Sequence, residues 1–241
     1  MNGPGCVWCG RPFGSARATD ATQPLCHACR RGLYAFDRAR SYAAYNDAMS
    51  AAVTLLKYEG VTRLGKWFAA RLKETLERDS GTFQPDAVVP VPLHPLRLRE
   101  PGYNQAELIA RPLAKRLRLA LKTYLLVRSR PRPDKLLLSR SERWSSVRGA
   151  YATRPGERVD KLSILLVDDV FTTGATLDAC ARALRGAGAA AVYGLTVARV
   201  MSSWFPPSSF RQPASGETRE ASPASDYGNA IGAAASNHVE K

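Results

Sequence analysis

The sequence has no run of apolar residues long enough to cross a membrane, since no segment approaches the roughly 18 consecutive apolar residues that such a helix needs. Its first ten residues, MNGPGCVWCG, also lack the basic and apolar regions of a signal peptide. We therefore expect a cytoplasmic protein without membrane insertion. Its 241 residues have room for one sizeable α/β domain and a small module.

Acidic residues are scarce relative to basic ones: 21 Asp and Glu stand against 35 Lys and Arg, which gives a net charge of +14. The excess is concentrated between Leu96 and Arg148, where fourteen basic residues face four acidic ones. A surface of this charge attracts polyanions, and both nucleic acid and a pyrophosphorylated sugar qualify. The net charge alone does not discriminate between these two ligands. A GC-rich genome is an alternative explanation for the high arginine content.

Cysteine is rare, with five residues in the chain, and four of them fall within the first thirty positions. They form two CxxC pairs separated by sixteen residues, a spacing typical of a four-thiolate zinc ribbon or knuckle. A metal would replace the core that so short a segment cannot build. A disulfide-linked module is disfavoured in the cytoplasm, and two matched pairs argue against a single redox motif. We predict structural Zn²⁺ bound by Cys6, Cys9, Cys26 and Cys29.

The chemistry of the chain is concentrated in Leu162 to Ala175, which has the sequence LSILLVDDVFTTGA. Four aliphatic residues precede Asp168 and Asp169, and an apolar pattern with helical spacing begins at Leu177. A continuous apolar run fits a strand buried on both faces of a parallel sheet. Functional groups gather at the carboxyl ends of such strands, so the acidic pair is predicted to lie there.

A loop of small and hydroxyl residues follows the acidic pair and enters the predicted helix. Its backbone N–H groups and hydroxyls, together with the helix dipole, favour an anion. The two carboxylates instead suit hydroxyl donors or a hard cation such as Mg²⁺. The pattern predicts a ribose 5-phosphate site, with an acidic strand end before an ordinary capped helix as the alternative. The loop residues are Thr172, Thr173, Gly174, Ala175 and Thr176.

The ten residues VDDVFTTGAT resemble the phosphoribosyl-pyrophosphate (PRPP) signature of the type I phosphoribosyltransferases. The resemblance implies an α/β fold in which a parallel sheet is flanked by helices. It also implies that PRPP binds at this loop together with Mg²⁺.

Local patterns predict further elements along the chain. Asn46 is a candidate N-cap for a helix that ends in LKYEG, and a second amphipathic helix carries Leu64 to Leu76. The segment DAVVPVPLHP begins as a strand and continues into a proline-rich loop.

The next helix is predicted to begin with a capping box formed by Asn104 and Glu107. Pro112 lies inside the helical pattern and is predicted to kink or split the helix near Ala110.

A second block, PVPLHPLRLREPGYNQAELIA, narrows the resemblance. Together with the cysteine spacing, LKYEG and the PRPP signature, it resembles the ComF/ComFC family. These are competence-associated phosphoribosyltransferase-like proteins with an amino-terminal four-cysteine zinc module. The motifs occur in the expected order over residues 1 to about 200.

The family resemblance implies roles for individual residues. Asp168 and Asp169 would hold the ribose diol as the catalytic pair, and the loop from Thr172 to Thr176 would hold the 5-phosphate. The resemblance also implies a part in DNA uptake and competence. The pyrophosphate loop would comprise His94, Pro95, Leu96 and Arg97.

Further cations lie near these motifs. The segment from Val127 to Arg148 resembles the mobile hood of the fold, but Lys135 and Ser146 stand where the family pattern has Gln and Asn. Its arginines suit a pyrophosphate clamp, a nucleic-acid backbone or plain solvation of a loop. The candidate phosphate or DNA contacts are Lys57, Arg99, Arg140 and Arg143.

We divide the chain into a four-cysteine zinc-ribbon or knuckle module at 1–38, a phosphoribosyltransferase-like domain at 39–201 and a low-complexity tail at 202–241. The tail is rich in Ser, Pro, Ala and Gly, and we expect it to be disordered. One predicted function is phosphoribosyl transfer from PRPP with pyrophosphate release. The alternatives are a non-catalytic adaptor that binds single-stranded DNA and a structural adaptor with a vestigial pocket. The sequence contains no recognisable acceptor pocket.

Overall fold

The computed structural model describes residues 5–13, 24–79, 81–93, 102–130 and 140–201, with side chains from residue 144 onward in the last range. Its helices are α1 (His27–Arg30), α2 (Asp47–Tyr58), α3 (Leu64–Arg78), α4 (Gln105–Leu117), α5 (Arg140–Val147) and α6 (Ala175–Gly186). Its strands are β1 (Arg38–Ala44), β2 (Ala87–Pro90), β3 (Ala120–Leu121), β4 (Leu126–Arg128), β5 (Tyr151–Thr153), β6 (Ser163–Phe171) and β7 (Ala191–Arg199). The tail predicted for residues 202–241 lies outside the described residues. Within these ranges, no helix combines the length and the apolar character that spanning a membrane requires.

Five strands form one parallel sheet in the order β1–β7–β6–β2–β3. β6 lies at its centre, where Leu165 is opposite Val88 of β2 and Tyr193 of β7. A central strand is covered on both faces, which explains its continuous apolar run. The predicted α/β architecture, a parallel sheet flanked by helices, is confirmed.

Alternate residues of β6 enter two separate apolar cores. Ile164 and Leu166 pack into the core that contains α6 and the amino-terminal cysteines. Leu165 and Val167 pack into the core formed with α2, α3 and α4. Because successive side chains of a strand point to opposite faces, the two residues that follow, 168 and 169, are directed to different sides of the sheet.

Asparagine residues cap two of the helices. The Asn46 side chain accepts a hydrogen bond of 3.0 Å from the N–H three residues later, which confirms the predicted start of α2. The Asn104 side chain accepts one of 3.0 Å from Ala106 N at the start of α4. Glu107 pairs with Arg111 one turn further on, so the carboxylate serves a helical ion pair and not the predicted capping box.

The sequence predicts a kink or a split near Ala110, and the split is wrong, because α4 runs without interruption from Gln105 to Leu117 through Pro112. Pro112 has no N–H to donate to the carbonyl of Leu108. Gly65 of α3 lies against that carbonyl, since a Cβ added to Gly65 would be 2.5 Å from the Leu108 oxygen. α3 therefore packs closely on α4 at the carbonyl that Pro112 leaves without its helical donor.

Candidate functional site

The carboxyl edge of the sheet carries the predicted ligand loop. β6 ends at Phe171, and the chain turns through residues 172–174 into α6. A shallow depression opens there, with about 180 Å³ of empty space that includes open solvent. The depression is lined by Asp168, Val170, Phe171, Thr172, Gly174, Thr176 and Leu177.

The threonines of this loop are oriented differently. Thr172 is exposed, whereas Thr173 is buried and its Oγ1 accepts a hydrogen bond of 3.3 Å from Ala175 N. Thr173 therefore shapes the turn, while Thr172 and Thr176 line the depression. The N–H groups in the first turn of a helix lack intrahelical partners, and together with the helix dipole they favour an anion at this position.

Gly174 is required by both its conformation and its surroundings. It is the N-cap of α6, and its φ of +82° lies in the left-handed region that favours glycine. An added Cβ would lie 2.6 Å from the ring of Phe171 and 2.7 Å from the ring of Tyr34. The turn that leads into the helix is thus packed closely against aromatic side chains on its inner side.

The two carboxylates of the acidic pair have different neighbours. Asp168 lines the depression beside the loop, and its Oδ1 accepts a hydrogen bond of 2.9 Å from Asp169 N. Asp169 is not among the lining residues, and its Oδ2 lies 2.8 Å from Lys57 Nζ at the end of α2. The structure brings Asp168 to the loop 172–176, hereafter the phosphate loop after its predicted ligand, and Asp169 to Lys57.

Lys57 is held in place by residues 102–105, hereafter the GYNQ block. Tyr103 Oη donates to Leu56 O at 2.7 Å, and Gln105 Nε2 donates to Lys57 O at 3.4 Å. Burial lowers the pKa of Lys57, but the neighbouring anionic groups, chiefly Asp169, together outweigh burial, so the pKa lies above its ordinary value. Lys57 is a fixed cation at the edge of the site. Sequence reasoning missed this contact, for which the only signal was that LKYEG and GYNQ belong to one family pattern.

The four cysteines of the CxxC pairs meet in one buried cluster, hereafter the four-cysteine cluster. Their Sγ atoms all lie within 4.8 Å of one another, and Cys9 Sγ is 3.7 Å from Cys26 Sγ. A tetrahedral site with Zn–S bonds of about 2.3 Å has S···S edges of about 3.8 Å. The four-cysteine cluster can therefore hold a metal ion.

Arg199, the last residue of β7, is buried beside this cluster. Its Nη2 donates to Cys9 O, and its guanidinium carbon lies 3.7 Å from the centroid of the Phe171 ring. Its Nε has no partner among the described residues, and burial lowers the pKa of the group. Zn²⁺ with four thiolates carries about two negative charges, so a buried cation here fits a metal-loaded cluster. The only feature of the sequence that could have indicated a role for Arg199 is its position, as a basic residue at the end of an apolar strand.

Several predicted contacts fall outside the part of the chain that the structure describes. The backbone of Arg140 and Arg143 belongs to α5, but their side chains are not described. The predicted pyrophosphate loop and its neighbouring cation also lie outside the described ranges; these residues are His94, Pro95, Leu96, Arg97 and Arg99.

Strands β4 and β5, which lie on either side of α5 in the sequence, form an antiparallel ribbon. Two arginines lie over tyrosine rings on it: Arg128 over Tyr151 and Arg154 over Tyr124, each with 5.2 Å between the guanidinium carbon and the ring centroid. Tyr124 is 67% exposed. The ribbon therefore presents a cation and an open aromatic face side by side.

Residues 104–213 match the model of the phosphoribosyl transferase domain. The DNA utilization protein YhgH of Salmonella typhi is 30% identical over 190 residues, which cover 78% of this chain and 80% of that protein. Competence protein ComFC of Bacillus subtilis is 27% identical over 203 residues, which cover 77% of this chain and 73% of that protein. The chain belongs to the ComF/ComFC family.

Another relative of this ComF-family protein is competence protein F of Haemophilus influenzae, which is 26% identical over 68% of this chain and 73% of that protein. Among solved structures, the glutamine PRPP amidotransferase of B. subtilis is 21% identical, covers 56% of this chain and 25% of that chain, and has a TM-score of 0.35. The family membership confirms the resemblance carried by the four motifs.

Proposed function

We propose that this ComF-family protein binds PRPP together with Mg²⁺ at the depression beside the loop 172–176. The observation that carries the proposal is that Asp168, Thr172 and Thr176 line one depression at the carboxyl edge of a parallel sheet. A carboxylate suits the hydroxyl groups of a ribose, and a helix N-terminus suits its 5-phosphate. The two features would hold one sugar phosphate at both ends.

The proposed reaction is transfer of the phosphoribosyl group to an acceptor. The bond between the anomeric carbon and pyrophosphate breaks, an atom of the acceptor bonds to the same carbon, and pyrophosphate leaves as an anion. Bound Mg²⁺ would neutralise part of the pyrophosphate charge. The protein would contribute orientation and fixed hydrogen bonds, with no covalent nucleophile.

Lys57 and the loop 94–97 are the proposed pyrophosphate contacts. Lys57 is a cation at the same edge of the sheet as Asp168, and Asp169 holds it there through a contact of 2.8 Å. In this proposal Asp168 contacts the ribose hydroxyls directly. Asp169 positions Lys57 for its contact with the pyrophosphate. When Lys57 turns to the pyrophosphate, the Asp169 carboxylate accepts a hydrogen bond from the second ribose hydroxyl.

A part in DNA uptake is the second candidate function, with the protein acting as a non-catalytic adaptor that binds single-stranded DNA. Relatives are named for DNA utilization and for competence. One structural observation favours it: the ring of Tyr124 is exposed, with the Arg154 guanidinium 5.2 Å from its centroid. An exposed ring beside a cation suits stacking of a base and contact with its phosphate.

The two functions are separated by titrating the full chain with PRPP and Mg²⁺ and, in a second series, with a single-stranded oligonucleotide. We expect PRPP to raise the melting temperature by mass action. The double variant Asp168→Asn with Asp169→Asn should lose this shift and keep its affinity for the oligonucleotide. Tyr124→Ala should keep the PRPP shift and weaken oligonucleotide binding by about 1–3 kcal/mol.

Each function has its own contradicting result. A wild-type melting temperature that PRPP and Mg²⁺ leave unchanged would remove the transferase proposal. Oligonucleotide binding that neither falls steeply with salt nor depends on Tyr124 would remove the DNA-binding proposal for this ribbon, because contacts with phosphates release counterions.

A further inference from the structure

The four-cysteine cluster and the phosphate loop are connected through Arg199. This side chain donates to Cys9 O from one side and lies on the ring of Phe171 on the other. Phe171 is the last residue of β6 and lines the depression, directly before the loop. A shift of the Cys9 backbone would therefore move the cation that packs on the start of the phosphate loop.

A second connection runs through Tyr34, five residues after Cys29. Tyr34 Oη donates to Thr173 O at 3.1 Å, and its ring closes the space beside Gly174. The ring also stacks on Phe36, with 4.6 Å between the ring centroids. Tyr34 thus contacts both the backbone and the inner surface of the turn that would hold the phosphate.

The segment that carries Tyr34 is anchored at both ends. Leu33 N donates to Ala28 O at 3.1 Å, which joins the segment to α1 and its ligand Cys29. Ala35 N donates at 2.7 Å to the buried carboxylate of Asp178, in the first turn of α6. The segment is therefore a short, hydrogen-bonded link between a metal-ligand helix and the helix whose N-terminus follows the loop.

We propose that Tyr34 and Arg199 are positioning residues through which a metal-loaded four-cysteine cluster fixes the phosphate loop. Without metal, the two CxxC turns have too short a chain to build a core of their own. Cys9 and Cys29 would then no longer hold Arg199 and Tyr34 in place. The loop would have to be ordered when the ligand binds, and this cost would reduce affinity.

The coupling is reciprocal by thermodynamic necessity, so a ligand on the loop should tighten metal binding by the same factor. This coupling rests on the proposed function, since ribose 5-phosphate must bind the loop for its affinity to depend on the metal. The ordering of the loop by the metal does not require any ligand, and it is measurable in its absence.

The test uses the zinc-loaded full chain, its chelated form, and the zinc-loaded variants Tyr34→Phe and Arg199→Met, with Tyr124→Phe as the control. Hydrogen exchange is measured at the amides of Ala175 and Asp178, which donate to Thr173 Oγ1 and Gly174 O of the turn, with the amides of α3 as the internal reference. We expect chelation, Tyr34→Phe and Arg199→Met each to speed exchange in the loop by about tenfold and to leave α3 unchanged. Tyr124→Phe should change neither region, and all variants should retain their zinc.

A second measurement is zinc affinity, by competition with a chelator, with and without ribose 5-phosphate. We expect the sugar phosphate to tighten zinc binding at least about fivefold in the wild type and not in Tyr34→Phe. Loop exchange that is unaffected in the zinc-loaded Tyr34→Phe and Arg199→Met variants would overturn the inference, whatever chelation does to the rest of the fold. If the loop loosens as expected but ribose 5-phosphate does not bind, the positioning role stands and the proposed function fails.

Discussion

Lys57 Nζ lies 2.8 Å from Asp169 Oδ2, so the second carboxylate of the acidic pair is held by a cation from another helix. The two side chains are only 25% and 15% exposed. The contact joins the LKYEG motif to the PRPP signature, and the GYNQ block supports it through the carbonyls of Leu56 and Lys57. Three motifs that are distant in the sequence thus converge on one ion pair at the carboxyl edge of the sheet.

The first prediction concerns the stability that this pair provides. Lys57→Met should lower the free energy of unfolding by about 1.5–3 kcal/mol, the range for a hydrogen bond to a charged group. The matched control is Lys73→Met, because Lys73 forms an exposed helical pair with Glu77 and should cost no more than about 0.5 kcal/mol. Denaturant titration of both variants, and of Asp169→Asn alone and combined with Lys57→Met, measures the coupling. Strict additivity of the two substitutions would show that the pair contributes nothing.

The second prediction concerns pH, because the pKa of Lys57 is raised above 10.5 in the folded protein by the net effect of burial and the neighbouring anionic groups, chiefly Asp169. A cation with a raised folded pKa contributes stability that is complete below its unfolded pKa and is lost as the pH rises through the folded pKa. The stability difference between wild type and Lys57→Met should therefore be constant from neutral pH to about pH 10 and shrink only above it. A difference that already disappears between pH 7 and 9 would assign the effect to another group.

The third prediction concerns the turn before α6. Gly174→Ala combines left-handed strain with a clash against Phe171 and Tyr34. Gly156→Ala is the matched control, since Gly156 has a φ of +85° and nothing within 4 Å of an added Cβ. We expect the control to cost about 1–2 kcal/mol of backbone strain and Gly174→Ala to cost about 1–3 kcal/mol more. Equal melting temperatures for the two variants would contradict the close packing of the turn.

The fourth prediction concerns the contact of α3 with α4. Gly65→Ala would place a methyl group 2.5 Å from the Leu108 oxygen, and it should destabilise the protein by about 1–3 kcal/mol. Gly186→Ala is the control, because Gly186 is also helical and an added Cβ meets nothing within 4 Å. That substitution should be neutral or slightly stabilising. Thermal unfolding of the two variants tests this difference. A Gly65→Ala protein as stable as the wild type would contradict the close contact between α3 and α4.

Local signals in the sequence were sufficient for much of the fold. The aliphatic run before Asp168 predicted a strand covered on both faces, and β6 is the central strand of a parallel sheet. Asn46 predicted the start of α2. The spacing of the two CxxC pairs predicted a tetrahedral set of thiols, and their sulfur atoms meet. Each of these features depends on neighbours within one turn, one strand or one short module.

Features that depend on distant contacts could not be predicted in this way. The carbonyl that Pro112 leaves without a helical donor, that of Leu108, packs against Gly65 of another helix. The separation of Asp168 from Asp169 depends on Lys57, which is more than one hundred residues away in the sequence. The role of Arg199 depends on Cys9, at the other end of the described chain. In each case the partner residue comes close only in the assembled tertiary structure.

The central claim is that Asp168 and the loop 172–176 bind a single ribose phosphate, and isothermal titration of PRPP with Mg²⁺ tests it most directly. The wild type should bind one PRPP per chain, and Asp168→Asn should weaken binding at least about tenfold, or 1.4 kcal/mol. The exposed Asp47→Asn serves as the control and should bind as the wild type does. A wild type that does not bind PRPP, or an Asp168→Asn protein with unchanged affinity, would contradict the account.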